Sequence, residues 1–223
     1  LVVDTEWLLV GHVDEYLSYV PANTPRGWKL LVGSPEMGRQ MLLDAQAAGN
    51  GATIMHEGKY WAFPPGPAAI SIDDVLANTG LMEATQEAQA VIDDALQKVV
   101  DAVGLAPDEI IEMPFIFEHV QSGGGVYLLA YQPGTVNSLV MGNTIVIPKP
   151  FGPQIGGEDI FEADLEARLG TAASGLGSDG QGLDIFFADN WDLYHRLSGE
   201  VHCGTNPEAS APFSSVNWWE TGR

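Results

Sequence analysis

Basic residues are scarce. Nine Lys and Arg face 30 Asp and Glu, a formal net charge of −21 over 223 residues. Phosphate backbones are gripped by clustered Lys and Arg, so no nucleic-acid partner is expected, and anionic membrane surfaces are disfavoured for the same reason. A cationic ligand is allowed, because a negative field raises its local concentration; the same acids also serve solubility alone. Cysteine occurs once, at Cys203, so no disulfide can close within the chain, which fits a reducing compartment. No apolar run approaches the ~20 residues that span a bilayer. The chain opens on Leu1-Val2-Val3 with no Met and no visible signal peptide, and reads as the C-terminal part of something longer. Charged residues make up only 17%, but hydrophobic residues reach 45%, enough for a sizeable core in one large domain or two small ones.

Short apolar runs alternate with helical patterns. Glu6 to Val13 reads as a buried strand ending near His12, Tyr16 to Val20 as a second apolar run, Trp28 to Gly33 as another strand, and Ser34-Pro35-Glu36 as a capped helix start. Met37, Met41, Leu42 and Ala45 share that helix's apolar face, and Gly49 ends it. Ser71 and Asp74 have capping-box spacing. The clearest helix runs from about Leu81 to Val103 and stops at Gly104. Ile110 to Met113 looks like a strand, and Gly142-Asn143 between two apolar runs is hairpin chemistry. Phe161, Leu165 and Leu169 mark a short helix. Thr171 to Gly182 reads as a mobile loop, Asp184 to Phe187 as a strand, and Glu200 to Cys203 as a short extended run. Strand, helix, strand is the pattern of α/β proteins. No exact sequence repeat and no composition break is visible.

Two places could carry chemistry. Cys203 is either a buried apolar filler or a nucleophile. It follows Glu200 and His202 at a strand end entering a Gly turn, where active-site groups are often placed. If the run is extended, His202 points away from the thiol, and a distant His must serve it. His12-Val13-Asp14 is the best candidate: in an extended segment, residues two apart face the same side. The pair suits general acid/base work with binding of a cation, or is a structural His–Asp pair at a strand end; with Glu15 it is also a conceivable metal set. His56, His119 and His195 sit in no motif and read as structural, and Trp191, Trp218 and Trp219 as packing residues. Gly123-Gly124-Gly125 lacks the strand-to-helix pattern of a phosphate loop.

Leu9-Val10-Gly11-His12-Val13-Asp14-Glu15-Tyr16-Leu17-Ser18-Tyr19-Val20-Pro21 resembles the segment around the catalytic His and Asp of peptidylarginine deiminases. Val136 to Gly142, followed by Ile147-Pro148-Lys149-Pro150-Phe151-Gly152-Pro153, resembles a second block of that family. Gly199-Glu200-Val201-His202-Cys203-Gly204-Thr205-Asn206 resembles the block of its nucleophilic Cys, and Pro212-Phe213 and Trp218-Trp219 its C-terminus. The order and approximate spacing of the blocks match over the full chain.

The resemblance implies an α/β pentein fold, a pseudo-fivefold propeller of ββαβ-type units, with residues 1–223 as roughly the last three units of the catalytic domain. It implies calcium-dependent hydrolysis of protein arginine to citrulline and ammonia through a covalent Cys thiouronium. Cys203 would attack the guanidinium carbon, Asp14 would hold the guanidinium nitrogens, and His12 would protonate the departing ammonia and then activate water. An arginine-containing protein or peptide is the implied partner, a homodimer is among the arrangements allowed, and the implied compartment is the cytoplasm, with secretion as the alternative. The family's second substrate carboxylate and main calcium ligands lie upstream of its His-Val-Asp motif, so no tight calcium site is expected on residues 1–223. The acidic pairs Asp73-Asp74, Asp93-Asp94 and Glu158-Asp159 are expected to bind divalent cations only loosely. An Arg that grips the substrate backbone in many family members is replaced by Leu197, with Arg196 one position off. This keeps two other readings open: a pentein enzyme acting on free or methylated arginine, and a non-catalytic remnant.

Overall fold

The computed structural model describes residues 1–206. It is a mixed α/β structure of small sheets with no closed barrel. Two of the sheets have three strands each and share one connectivity. In the first, β1 (Leu17–Pro21) pairs antiparallel with β2 (Trp28–Ser34). The chain then crosses through α1 (Pro35–Ala45), α2 (Ile72–Ala77) and α3 (Thr79–Val103) to β3 (Ile110–Pro114), parallel to β2. A hairpin of β4 (Phe117–Ser122) and β5 (Gly125–Ala130) follows. The second sheet pairs β6 (Leu139–Met141) antiparallel with β7 (Thr144–Pro148), crosses through α4 (Ile160–Leu169), and returns in β8 (Asp184–Ala188), parallel to β7. A parallel pair needs such a crossover, and a helix usually provides it. The ββαβ unit thus occurs twice without a sequence repeat.

Local chemistry explains the boundaries. The Ser34 hydroxyl caps α1, accepting from Met37 N at 3.4 Å, with Pro35 in the first turn. Asn78 caps α3 in the same way at Leu81 N, and Gly104 ends it at φ 65°. The α3 face of Leu81, Ala84, Ala88, Ile92, Ala95 and Val99 is buried, as its spacing predicts. Most of that face joins Leu31, Val32, Phe115, Phe117, Ile145, Ile147 and Leu165 in one core shared by both sheets. Gly38 is required on α1, because a Cβ there would lie 2.9 Å from the Phe115 backbone.

Three expectations need correction, and one element goes beyond them. Glu6 to Val13 is not a strand: it forms turns with a single parallel bridge, Leu8 to Leu128. Asp4 Oδ1 accepts from Glu6 N at 2.9 Å and the Asp4 carbonyl from the Trp7 indole at 3.0 Å, which bends the segment. Thr171 to Gly182 is a built loop, since Leu176 is fully buried, bridges Ala22 and anchors the segment in the core. Asp159 is not a solvated acid: it caps α4 from a buried position. The β4–β5 hairpin, turning at Gly123-Gly124, is absent from the sequence reading because its apolar residues alternate weakly. Pro212-Phe213 and Trp218-Trp219 lie outside the described residues.

Candidate active site

The two motif segments enter the site from opposite ends of the chain. Val13–Glu15 is one 3₁₀ turn leading into β1, and Glu15 Oε1 accepts from His12 N at 2.7 Å. The next residue, Tyr16, fixes the turn to the core: it is fully buried, its hydroxyl donates to the Asp4 carbonyl at 3.1 Å, and its ring packs 5.3 Å from Trp7. His202–Gly204 is a second 3₁₀ turn. Asn137, fully buried just before β6, holds it: Asn137 Oδ1 accepts from His202 N at 3.1 Å and Cys203 N at 3.4 Å, and the Cys203 thiol donates to the same oxygen at 3.5 Å.

These turns correct the extended-strand reading of both motifs. A 3₁₀ turn has three residues per turn, so side chains two apart do not share a side as they would in a strand. His12, Asp14, His202 and Cys203 nevertheless line one open cleft of about 710 Å³, because the fold brings the two turns together. His202 does not point away: its Nδ1 sits 2.5 Å from Asp14 Oδ2, across 188 residues of sequence. The trio His12, Asp14 and Glu15 does not make a metal site; among the described residues no group of three or more His, Cys, Asp and Glu could hold a metal ion.

Electrostatically the cleft is acidic. Burial pushes the Glu15 carboxyl up to about 7. Burial also raises the Cys203 thiol, with Asp14, Glu200 and Glu15 adding to the rise, while a hydrogen bond from the Glu200 backbone lowers it. Beside Cys203 lies a buried polar network around Glu200 and His195, the latter in no sequence motif. Buried Glu200 accepts from Gly134 N at 3.0 Å and Asn190 Nδ2 at 2.6 Å, and pairs with His195 Nδ1 at 2.8 Å. His56 is fully buried among aromatic rings, its pKa lowered by that burial to about 3, and His119 pairs with Glu87 at 2.9 Å. Leu197 is 59% exposed, and Arg196 lies on a 3₁₀ turn rather than a strand, its guanidinium tied to Asp192. Asn137 and His202 lay within the quoted blocks, but their roles depend on turn geometry that alternation could not give.

A thiol, two imidazoles and a carboxylate around one cleft, on an α/β frame of ββαβ units, define a candidate cysteine-dependent active site that can accept a cation. Comparison with known proteins places it more closely. Residues 1–220 match the family model "Protein-arginine deiminase (PAD)". The chain is 36% identical over 214 residues to protein-arginine deiminase type-3 of Rattus norvegicus, covering 96% of this chain and 30% of that protein. It is 34% identical over 216 residues to type-4 of Mus musculus, with 96% and 30% covered, and 34% identical over 217 residues to type-1 of Mus musculus, with 97% and 30% covered. The chain belongs to the protein-arginine deiminase family. It spans about 30% of the length of these relatives.

Proposed function

We propose that this chain carries the nucleophile and acid/base half of a site that hydrolyses arginine residues in proteins or peptides to citrulline and ammonia. The observation that carries this reading is the meeting of Asp14, His12 and Cys203 around one cleft, inside a chain matched to this family along nearly its whole length. A guanidinium stays charged near neutrality and needs a carboxylate aligned for paired hydrogen bonds; Asp14 is that group. The Cys203 thiolate adds to the guanidinium carbon. The C–N bond breaks with proton transfer from His12, ammonia leaves, and the thiouronium remains on sulfur. Water then adds to that carbon, giving its proton to His12, and the C–S bond breaks to release citrulline and the thiolate. Proton transfer by a placed His contributes roughly 10²–10⁴-fold.

The repeated ββαβ unit supports a pentein-type propeller, to which residues 1–223 contribute the C-terminal part of one catalytic domain. Calcium enters this reading only through the family, with its ligands outside the residues described here. A reducing, cytoplasmic setting belongs to the same reading, since Cys203 must remain a free thiol. The test is citrulline release from an arginine-containing peptide by the full-length protein with calcium present. Cys203→Ala should abolish it, and an unchanged rate removes Cys203 from the role of nucleophile. A second reading, turnover of free arginine, is favoured by one observation: no guanidinium stands at Leu197, and Arg196 is committed to Asp192. Comparing free arginine with arginine blocked at both ends decides, and a strong preference for the free amino acid sinks the protein-substrate reading.

A further inference from the structure

Cys203 borders two spaces. One is the open cleft with His12 and Asp14; the other is a small chamber of about 20 Å³ behind the turn, lined by Phe117, Asn137, His195, Ser198 and Glu200 among others. A space of that size holds one water, provided it offers two to four polar partners. Asn137 Nδ2 and His195 Nε2 are buried and have no hydrogen-bond partner among the described residues. Asn137 is 0% and His195 4% exposed, and buried polar groups left unpartnered are costly.

The tautomer of the neutral His195 ring follows from its neighbours. Glu200 already accepts from Gly134 N and Asn190 Nδ2, so it acts as an acceptor toward His195 as well, and Nδ1 carries the hydrogen. In the neutral ring Nε2 is then an acceptor. Asn137 Oδ1 is taken by the turn's N–H groups, which leaves Nδ2 as a donor. A single water completes the set. We propose that the chamber is a one-water site in which the water accepts from Asn137 Nδ2, donates one hydrogen to His195 Nε2, and donates the other to the Cys203 sulfur. Three hydrogen bonds are what a buried water usually makes.

The water adds to a balance around the sulfur that otherwise leans toward the neutral thiol. Around the sulfur stand the Asn137 Oδ1 acceptor and the carboxyl groups of Asp14, Glu15 and Glu200, all of which favour the neutral thiol; His12 and His202 lie on the cleft side, with His202 engaged by Asp14. Donors favour a thiolate there; the hydrogen bond from the Glu200 backbone is one, and the water supplies a second from the chamber. His195 is thus a positioning residue acting through the water, and Glu200 fixes its tautomer. The inference rests on Cys203 being the nucleophile.

The experiment has two arms on the full-length protein. A crystal structure that resolves ordered solvent should show a water within hydrogen-bond distance of both Asn137 Nδ2 and His195 Nε2; an empty chamber overturns the proposal. Iodoacetamide labelling of Cys203 is then followed against pH, with the Cys203 peptide quantified by mass. His195→Phe, which fills the chamber and removes the acceptor, should raise the labelling midpoint by about one unit, roughly a tenfold slower rate at pH 7. His195→Gln, whose carbonyl can accept from the water, should stay near wild type. An unmoved midpoint in a His195→Phe protein with wild-type melting overturns the proposal, as does a His195→Gln midpoint raised equally. If His195→Phe does not fold, the occupancy of the chamber decides. Labelling needs no arginine substrate, so failure of the deimination reading leaves this result standing.

Discussion

The first ββαβ unit crosses from β2 to β3 through three helices, of which α3 alone has 25 residues; the second crosses from β7 to β8 through α4, with ten. Both units place polar side chains just ahead of their first strand. In the first these are Asp14 and Glu15, before β1; in the second it is Asn137, before β6. Asp14 lines the cleft, while Asn137 is fully buried and holds the turn that carries Cys203. One topological position puts a side chain on the cleft in one copy and a scaffold under the Cys203 turn in the other. The frame explains where the chemistry sits, and the residue type and its burial explain what it does.

Exchanging the two entrance residues' chemistry should give the largest effects. Asp14→Asn removes the charge from paired hydrogen bonds each worth about 1.5–3 kcal/mol, so kcat/KM for an arginine peptide should fall roughly 10²–10⁴-fold. Asn137→Ala should cost less, about tenfold, and chiefly in kcat, because it loosens the turn without touching the guanidinium. Equal losses in KM for both variants, measured by steady-state citrulline release, would break the proposed division of roles.

Core truncation compares the crossovers. Ile92 on α3 and Leu165 on α4 are both fully buried in the shared core. Each change to Ala should cost about 2–5 kcal/mol in urea unfolding. Both should lower one cooperative transition, since the two sheets share that core. Two separated transitions would mean the units fold independently.

Much of this frame was legible in the sequence. Ser34-Pro35, Asn78 and Gly104 set helix ends by local hydrogen bonding and backbone conformation, and Gly142-Asn143 marked the β6–β7 turn. These signals act over a few residues and survive without tertiary context. The site was legible as a set of residues, through long motif blocks, but not as a geometry. Both motifs were read as strands, and both are 3₁₀ turns fixed from outside, by Tyr16 on the core and by Asn137 under Cys203. Glu200 and His195 looked unremarkable because their partners, Gly134 and Asn190, lie in other segments.

Two carboxyl groups sharpen the comparison through pH. Burial raises Glu15 from 4.5 to about 7 in the first unit, and Asp159, the cap of α4 in the second, from 3.8 to about 6. A carboxyl whose folded pKa is raised binds its proton more tightly in the folded state, so stability falls as pH rises between the unfolded and folded values. The loss due to Glu15 spans about pH 4.5 to 7, and that due to Asp159 about pH 3.8 to 6. Glu15→Gln should flatten the thermal-melting profile in the upper window. Asp159→Asn should flatten the lower one, but from a reduced melting temperature, because its amide turns a donor toward Gly152 N, which now donates to the carboxylate at 2.6 Å. A Glu15→Gln profile still falling between pH 6 and 7 would assign that slope to another group, with half-buried Glu118, also raised to about 7, the first to examine.

The smallest effect concerns the contact that joins the two ends of the site. The Asp14 carboxylate, read here as the guanidinium anchor, is held by His202, whose side chain is 47% exposed against 25% for Asp14. A substrate guanidinium must displace that imidazole. Ion pairs this exposed are worth about 0–1 kcal/mol, so the competition is mild, and a planar guanidinium with two parallel donors wins it. His202→Ala should therefore lower KM for an arginine peptide by up to about fivefold and leave kcat nearly unchanged, because the Cys203 backbone stays anchored to Asn137. A KM that rises instead would show that His202 assists substrate binding, with its pairing to Asp14 a way of orienting the carboxylate rather than of blocking it.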